Sequence, residues 1–156
     1  MFEQAPIHDE RRLRPRRDAE LQREGWYALA DRSDVHHAEA RRWYQSRAPH
    51  EDLVTTDLIL AETFTLLMSR LGHEAARVWW DAFRAAGVRH IVPTPVDFDR
   101  ASEVLAHFSD QRFSLTDGVS FAIMERLGIR TAFSFDAHFT VVRLGPRYSR
   151  AITRVP

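Results

Sequence analysis

Apolar residues recur at helical spacing along most of the chain after position 26. The pattern predicts a short helix that begins at Trp26 and a second one whose apolar stripe includes Ala40 and Trp43. Four longer helices are predicted at 58–72, 73–87, 97–110 and 114–128. Three of these four end at a glycine, which readily takes the left-handed conformation that closes a helix.

Short apolar and β-branched runs alternate with these helices. They lie at 52–57, 88–95 and 129–136, and a last edge strand is predicted at either 140–145 or 151–155. Strands that alternate with helices indicate an α/β fold with a mostly parallel sheet. In such sheets ligands bind at the carboxyl ends of the strands, so we expect a functional site at that edge.

The N-terminal segment has a different composition. Residues 1–25 contain six Arg, six acidic residues and two Pro, but very few large apolar groups. Such a segment buries too little apolar surface to offset the entropy that ordering costs. We therefore expect a disordered or marginally helical tail at 1–25 and one folded domain at 26–156.

Two aspartates are expected at the carboxyl edge of the sheet. Asp117 lies in the first turn of the helix at 114–128, and Asp136 ends the strand that this helix leads into. A helix cap alone would also explain Asp117, and a turn would explain Asp136. Their position at one edge nevertheless favours a shared site.

A third carboxylate, Glu62, interrupts the apolar helix at 58–72. Because this helix is apolar on nearly all sides, we expect it to be buried, and a buried carboxylate needs a cation or a proton. A metal site is the simplest explanation for Glu62.

Overall composition limits the class of protein. The 22 basic and 22 acidic side chains balance, so the chain has no general attraction to nucleic acid or membrane. The absence of cysteine excludes disulfides and thiolate metal sites and suits a reducing compartment. No apolar run has the length of a membrane span or the form of a signal peptide, so we expect a cytoplasmic protein.

Several motifs occur in an order that is typical of one family. They are WYALADRSDVHHAEA at 26–40, TTDLILAETFTLL at 55–67, FSLTDGVSFAIMERLGI at 113–129 and TAFSFDAHF at 131–139. Together they resemble the successive signatures of PIN-domain ribonucleases of the VapC toxin type. The resemblance extends over roughly residues 26–150.

This resemblance implies a three-layer fold, a parallel sheet with helices on both faces, and hydrolysis of RNA phosphodiester bonds. It also implies a carboxylate cluster that binds Mg²⁺ or Mn²⁺, a small antitoxin as partner, and a homodimer. By resemblance, Glu62, Asp117 and Asp136 are the catalytic and metal-binding acids, with Thr116 and Ser134 as neighbours. The chemistry agrees, since Mg²⁺ prefers oxygen ligands and activates a bound water.

The first motif of the family is missing. The family has a strand that ends in an aspartate shortly before the aromatic pair, and the matching position here is about Gln22. The surrounding sequence RRDAELQREG is predicted to be polar coil or helix, so the first strand is degenerate. Three explanations are open: a shifted reading frame or start, a degenerate homologue that cuts poorly, or replacement of the acid by Asp18, Glu20 or Glu24.

The leading hypothesis is therefore a metal-dependent endoribonuclease of a toxin–antitoxin pair, impaired by the loss of this acid. The alternative is a catalytically weak or inactive PIN-like module that binds an antitoxin or another partner. An unrelated metal-dependent phosphatase is a third possibility. His138 lies near Asp136 and is able to approach a phosphate, although a surface position is the simpler expectation.

Overall fold

Five parallel strands form the central sheet of the computed structural model, which describes residues 18–156. In the order β3-β2-β1-β4-β7, the sheet contains Arg89–Ile91, Asp52–Thr56, Asp18–Leu21, Thr131–Phe133 and Thr153–Val155. Two further short strands, β5 (Arg143–Leu144) and β6 (Arg150–Ala151), pair as an antiparallel hairpin beside the sheet.

Seven α-helices connect the strands of the described residues. They are α1 (Arg23–Ala30), α2 (His37–Arg47), α3 (Asp57–Leu71), α4 (His73–Ala85), α5 (Pro95–His107), α6 (Leu115–Leu127) and α7 (His138–Val141). A 3₁₀ turn at Pro146–Tyr148 lies within the β5–β6 hairpin. The predicted α/β fold is confirmed, and the last edge strand is the one expected near 151–155.

The two faces of the sheet carry separate apolar cores. On one face Leu21 and Phe133 pack with residues of α1 to α4, including Trp26 and Trp79, whose ring centroids lie 5.9 Å apart. On the other face Val54 and Ala132 pack with residues of α5, α6 and α7. Alternate residues of each strand point to opposite faces, so both layers of helices are fixed to the same short strands.

Side-chain caps fix where the helices next to the carboxyl edge begin. The Thr56 hydroxyl accepts a hydrogen bond from the Ile59 amide at the start of α3. At the start of α6, Ser114 and Asp117 form a capping box, in which each side chain accepts the other residue's backbone N–H. These caps hold the first turns of both helices at the edge where β1, β2 and β4 end.

The segment 18–25 corrects the sequence prediction. Residues 18–21 were expected to be coil or helix, but they form β1, the middle strand of the sheet, paired with both β2 and β4. Ala19 and Leu21 are buried in one core, and Glu20 between them is also fully buried, with its carboxylate accepting a hydrogen bond from Gln22. The rest of the expected tail, 1–17, lies outside the described residues.

None of the helices within 18–156 is long and apolar enough to cross a membrane.

Candidate active site

The carboxyl edge of the sheet brings the three predicted acids into one region. Asp117 comes from the first turn of α6, Asp136 follows β4, and Glu62 comes from the second turn of α3. Parallel strands end at the same edge, and α6 begins there because it runs antiparallel to β4.

Asp117 is held rigidly by the start of its helix. Its Oδ2 accepts the Ser114 backbone N–H at 2.8 Å, and its own N–H donates to Ser114 Oγ at 3.0 Å. Burial raises the pKa of the Asp117 carboxyl, the Ser114 hydrogen bonds lower it, and the charge of Asp136 raises it further. Asp117 is therefore both a helix cap and a member of a group of acids that affect each other.

Asp136 and Asp117 lie on either side of one histidine. His138 Nδ1 is 3.4 Å from Asp136 Oδ2 and 3.5 Å from Asp117 Oδ2. Asp136 Oδ1 accepts the backbone N–H of His138 at 2.8 Å, and Ser134 Oγ accepts the backbone N–H of Asp136 at 3.0 Å. His138 is partly exposed, with 28% of its side chain accessible, and its Nδ1 faces both acids.

Glu62 is connected to the same region through two contacts. Thr116 Oγ1 donates to Glu62 Oε1 at 2.6 Å, and Arg23 Nη1 donates to Glu62 Oε2 at 3.1 Å. Since Thr116 is the neighbour of Asp117 in the chain, this hydrogen bond ties α3 to the start of α6.

The prediction that Glu62 is buried is wrong, because its side chain is 34% exposed. Helix α3 packs against the rest of the domain through Ile59, Leu60, Thr63 and Leu67. The opposite side of the helix, together with Arg23, lines an open groove that contains Glu62. Partial exposure makes Glu62 accessible to a ligand, and Arg23 supplies the cation that the sequence argument required.

The position of the missing acid lies directly beside this region. Gln22 follows β1 and is the N-cap residue of α1. Its side-chain amide donates to Glu20 Oε2 at 2.9 Å, inside the protein. The position expected from the motif spacing is therefore at the carboxyl edge, but it holds a neutral amide that is turned towards a buried carboxylate.

The three candidate replacements for this acid differ in position. Asp18 begins β1, at the opposite end of the strand from Gln22, and pairs with Arg89. Glu20 is fully buried, and burial raises the pKa of its carboxyl well above the ordinary value, although the hydrogen bond from Gln22 acts against this. Glu24 lies on α1 and accepts hydrogen bonds from Arg23. Of the three, only Glu24 is linked to Glu62, through Arg23.

Sequence reasoning overlooked Arg23, which sits in the first turn of α1. A cation is unfavourable at the N-terminus of a helix, because it is repelled by the positive end of the helix dipole. The presence of Arg23 at this position therefore indicated that anionic side chains lie close to it. Glu20 was also overlooked as a core residue, because the strand that contains it was not predicted.

The donor set suits a divalent cation by its chemistry, since all the candidate ligands are oxygen atoms and the Asp117 carboxyl is crowded by a second acid. The arrangement is incomplete, however. Among residues 18–156, no three acidic or histidine side chains are grouped closely enough to hold one metal ion. The positive charge near Glu62 comes from Arg23.

Comparison with known proteins gives consistent matches. The profile of the PIN domain matches residues 26–144 and so begins just after β1 and Gln22. The 23S rRNA-specific endonuclease VapC20 of Mycobacterium tuberculosis is 35% identical over 116 residues, which is 74% of this chain and 86% of that protein.

Solved structures match over a similar range. The crystal structure of M. tuberculosis VapC20, described as a toxin that cleaves the sarcin–ricin loop, has a TM-score of 0.70 at 33% identity and covers 76% of this chain and 90% of its own. VapBC2 from Rickettsia felis, bound to a DNA fragment from its promoter, has a TM-score of 0.68 at 10% identity, with 89% of this chain and 99% of that chain covered. PAE2754 from Pyrobaculum aerophilum has a TM-score of 0.60 at 16% identity, with 88% and 89% covered. The last two matches support the fold alone.

Proposed function

Since this chain belongs to the PIN-domain family and is a VapC homologue, we propose that it is a divalent-metal-dependent endoribonuclease, the toxin of a toxin–antitoxin pair. The observation that carries the proposal is that Asp117 and Asp136 both face His138 at the carboxyl edge of the sheet, while the Thr116 hydroxyl ties Glu62 to the start of the same helix. The 35% identity to a ribosomal-RNA endonuclease supports RNA as the substrate.

In this proposal, Glu62, Asp117 and Asp136 hold Mg²⁺ or Mn²⁺. The cation would supply an activated water and compensate for the charge that develops on the phosphate. The protein contributes orientation: the Ser114 amide fixes Asp117, the His138 amide fixes Asp136, and the Thr116 hydroxyl fixes Glu62. Carboxylates that are held by neighbouring hydrogen bonds lose little entropy when they bind a ligand.

His138 is the group best placed to handle a proton in this site. Its Nδ1 faces two carboxylates, and its ring contacts the Phe113 ring at a centroid distance of 5.0 Å. A histidine whose ring nitrogen faces two carboxylates is able to donate a hydrogen bond to either of them.

The partners belong to the same proposal. VapC-type resemblance implies a small antitoxin, a homodimer and a cytoplasmic location where the RNA is found. Co-expression with the protein encoded next to this gene, followed by size-exclusion chromatography with light scattering, measures both the complex and the oligomeric state. A monomer that forms no complex with this neighbour would contradict these partners.

The test of the enzyme is a cleavage assay with RNA of the large ribosomal subunit and an unrelated messenger RNA. We expect cleavage that depends on added Mn²⁺ or Mg²⁺ and is abolished by EDTA. Cleavage that is unchanged in EDTA would contradict the metal requirement. Turnover of a phosphomonoester such as p-nitrophenyl phosphate, without RNA cleavage, would favour a phosphatase instead.

A second candidate function is supported by Gln22. Because a neutral amide occupies the position of an acidic ligand, a module that binds its antitoxin but cuts RNA weakly also fits the site. In that case the complex would form normally, while cleavage would remain near background at every metal concentration.

A further inference from the structure

Arg23 joins two carboxylates at the edge of the candidate site. Its Nη2 donates to Glu24 Oε1 at 2.6 Å and its Nε donates to the same oxygen at 3.1 Å. Its Nη1 donates to Glu62 Oε2 at 3.1 Å. The guanidinium therefore occupies one of the two oxygens of a proposed metal ligand.

The charge of Arg23 also acts on the rest of the site. Burial lowers the pKa of its guanidinium, but the charges of Glu24, Glu62 and Asp117 outweigh this effect and raise it. Arginine keeps its charge at any pH at which the protein is folded. A fixed cation thus lies within electrostatic reach of two proposed metal ligands.

Resting on the metal-dependent function proposed above, we propose that Arg23 is an internal competitor of the divalent cation for Glu62. A metal that binds Glu62 brings a second positive charge close to Arg23 Nη1 and competes with it for the same carboxylate, which weakens binding. Gln22 adds to the effect, because the neighbouring position contributes no negative charge.

The surroundings allow Arg23 to leave Glu62 without becoming unpaired. Its side chain is 41% exposed, and the shorter contact, with Glu24 at 2.6 Å, does not involve Glu62. Arg23 and Glu24 line the groove on the α1 side of the site, together with Arg70 and Phe135. The proposal therefore implies two arrangements, the observed one with Glu62 paired to Arg23 and a second one with Glu62 open to a metal.

Isothermal titration of the full chain with Mn²⁺ tests the competition without measuring cleavage. We expect Arg23→Gln to tighten Mn²⁺ binding at least about tenfold, because it removes the positive charge beside Glu62. Arg23→Lys keeps the charge and should stay within about threefold of the wild type. Arg70→Gln, which removes a positive charge from the same groove, is the control for general electrostatics.

Circular dichroism and thermal unfolding confirm that each variant is folded, and Arg23→Met replaces Arg23→Gln if the latter is not. Equal Mn²⁺ affinity in the wild type and in Arg23→Gln would overturn the inference while leaving the metal-dependent nuclease intact. An equal gain in Arg70→Gln would also overturn it. If neither the wild type nor Arg23→Gln binds Mn²⁺, both the inference and the proposed function fail.

Discussion

The two sides of the candidate site differ in how they treat negative charge. On the α6 and β4 side, Asp117 and Asp136 keep their carboxylates, and backbone amides hold each of them in place. On the β1 and α1 side, a neutral Gln22 and a cationic Arg23 follow the strand. The difference teaches that this edge of the fold forms even though one side of it lacks the acid that the family resemblance implies.

The reason is that folding and ligand binding place different requirements on the end of β1. The strand β1 needs buried side chains and partners for its backbone, which DAEL supplies at Asp18–Leu21 between β2 and β4. The fold does not need an acid after this strand. A carboxylate there matters only for the ligand, so its loss affects chemistry and leaves the sheet intact.

The largest effect is expected on the acidic side. Asp117→Asn keeps an oxygen that can cap α6 but removes the charge, so RNA cleavage and toxicity should fall at least about a hundredfold. Cleavage rates and growth of cells that express the variant measure this effect. Binding of the antitoxin should stay unchanged and the variant should remain folded, and full activity in this variant would contradict the role of Asp117.

The next prediction concerns how α1 is positioned against the sheet. A Cβ at Gly25 would lie 2.4 Å from Phe133 Cδ1 and 2.8 Å from the Phe133 carbonyl oxygen, which is backbone and cannot swing away. Gly25→Ala should therefore destabilise the protein by about 2 kcal/mol or more, as over-packed cores do. Urea unfolding measures the change.

Ala38→Gly, at an exposed position in α2, is the control for that measurement, and we expect it to cost only about 1 kcal/mol through helix propensity. If Gly25→Ala is as stable as the wild type, α1 is not packed tightly on β4, and the position of Arg23 would have to be revised.

Restoring the acid tests the other side of the comparison directly. Gln22→Asp places a carboxylate at the position that the motif spacing assigns to the missing acid and should raise metal affinity and cleavage by about tenfold, because ligand charge count sets affinity for hard cations. Cleavage at several Mn²⁺ concentrations measures both quantities. Gln22→Asn is the matched control and should gain nothing. Equal, robust activity in the wild type and in Gln22→Asp would refute the idea that this site is impaired.

The smallest predicted effect concerns the buried Glu20. Burial raises the pKa of its carboxyl in the folded state above the ordinary value of 4.5, so folding favours the protonated form. The free energy of unfolding should therefore fall as pH rises from 4.5 to the folded-state pKa, because the unfolded chain releases this proton first.

Glu20→Gln replaces the ionisable carboxyl with a neutral amide and should raise the free energy of unfolding at pH 7 by about 1 kcal/mol or more. Chemical denaturation at a series of pH values measures how the free energy of unfolding changes with pH. Glu39→Gln, at an exposed position of α2, is the control and should leave the slope unchanged. If Glu20→Gln shows the same pH slope as the wild type, Glu20 is ionised in the folded protein.

Much of the fold was predictable because its helices carry a strong apolar period and their ends carry clear signals. Helix α6, for example, begins after the cap Ser114 and ends before Gly128, which has a φ of +70°. The strand β1 was not predictable from its four residues, since Asp18 and Glu20 break the apolar pattern. Only the partners on both sides of the strand, which lie far away in the sequence, explain why it forms.

The site was predictable in part for a related reason. Asp117 lies in the first turn of a helix and Asp136 comes shortly after a strand, so the edge they share could be inferred from the order of strands and helices. The exposure of Glu62 and the facing of His138 towards two acids depend on how α3 and α7 pack, which residue spacing does not determine. Whether these three acids bind a metal remains a prediction.

The most direct test of the account is a crystal structure of the protein grown with Mn²⁺, with the metal located by its anomalous scattering. The account predicts a peak about 2.0–2.3 Å from carboxylate oxygens of Glu62, Asp117 and Asp136, at the carboxyl edge of the sheet. An absent peak, or a metal bound elsewhere while these three side chains stay apart, would contradict it.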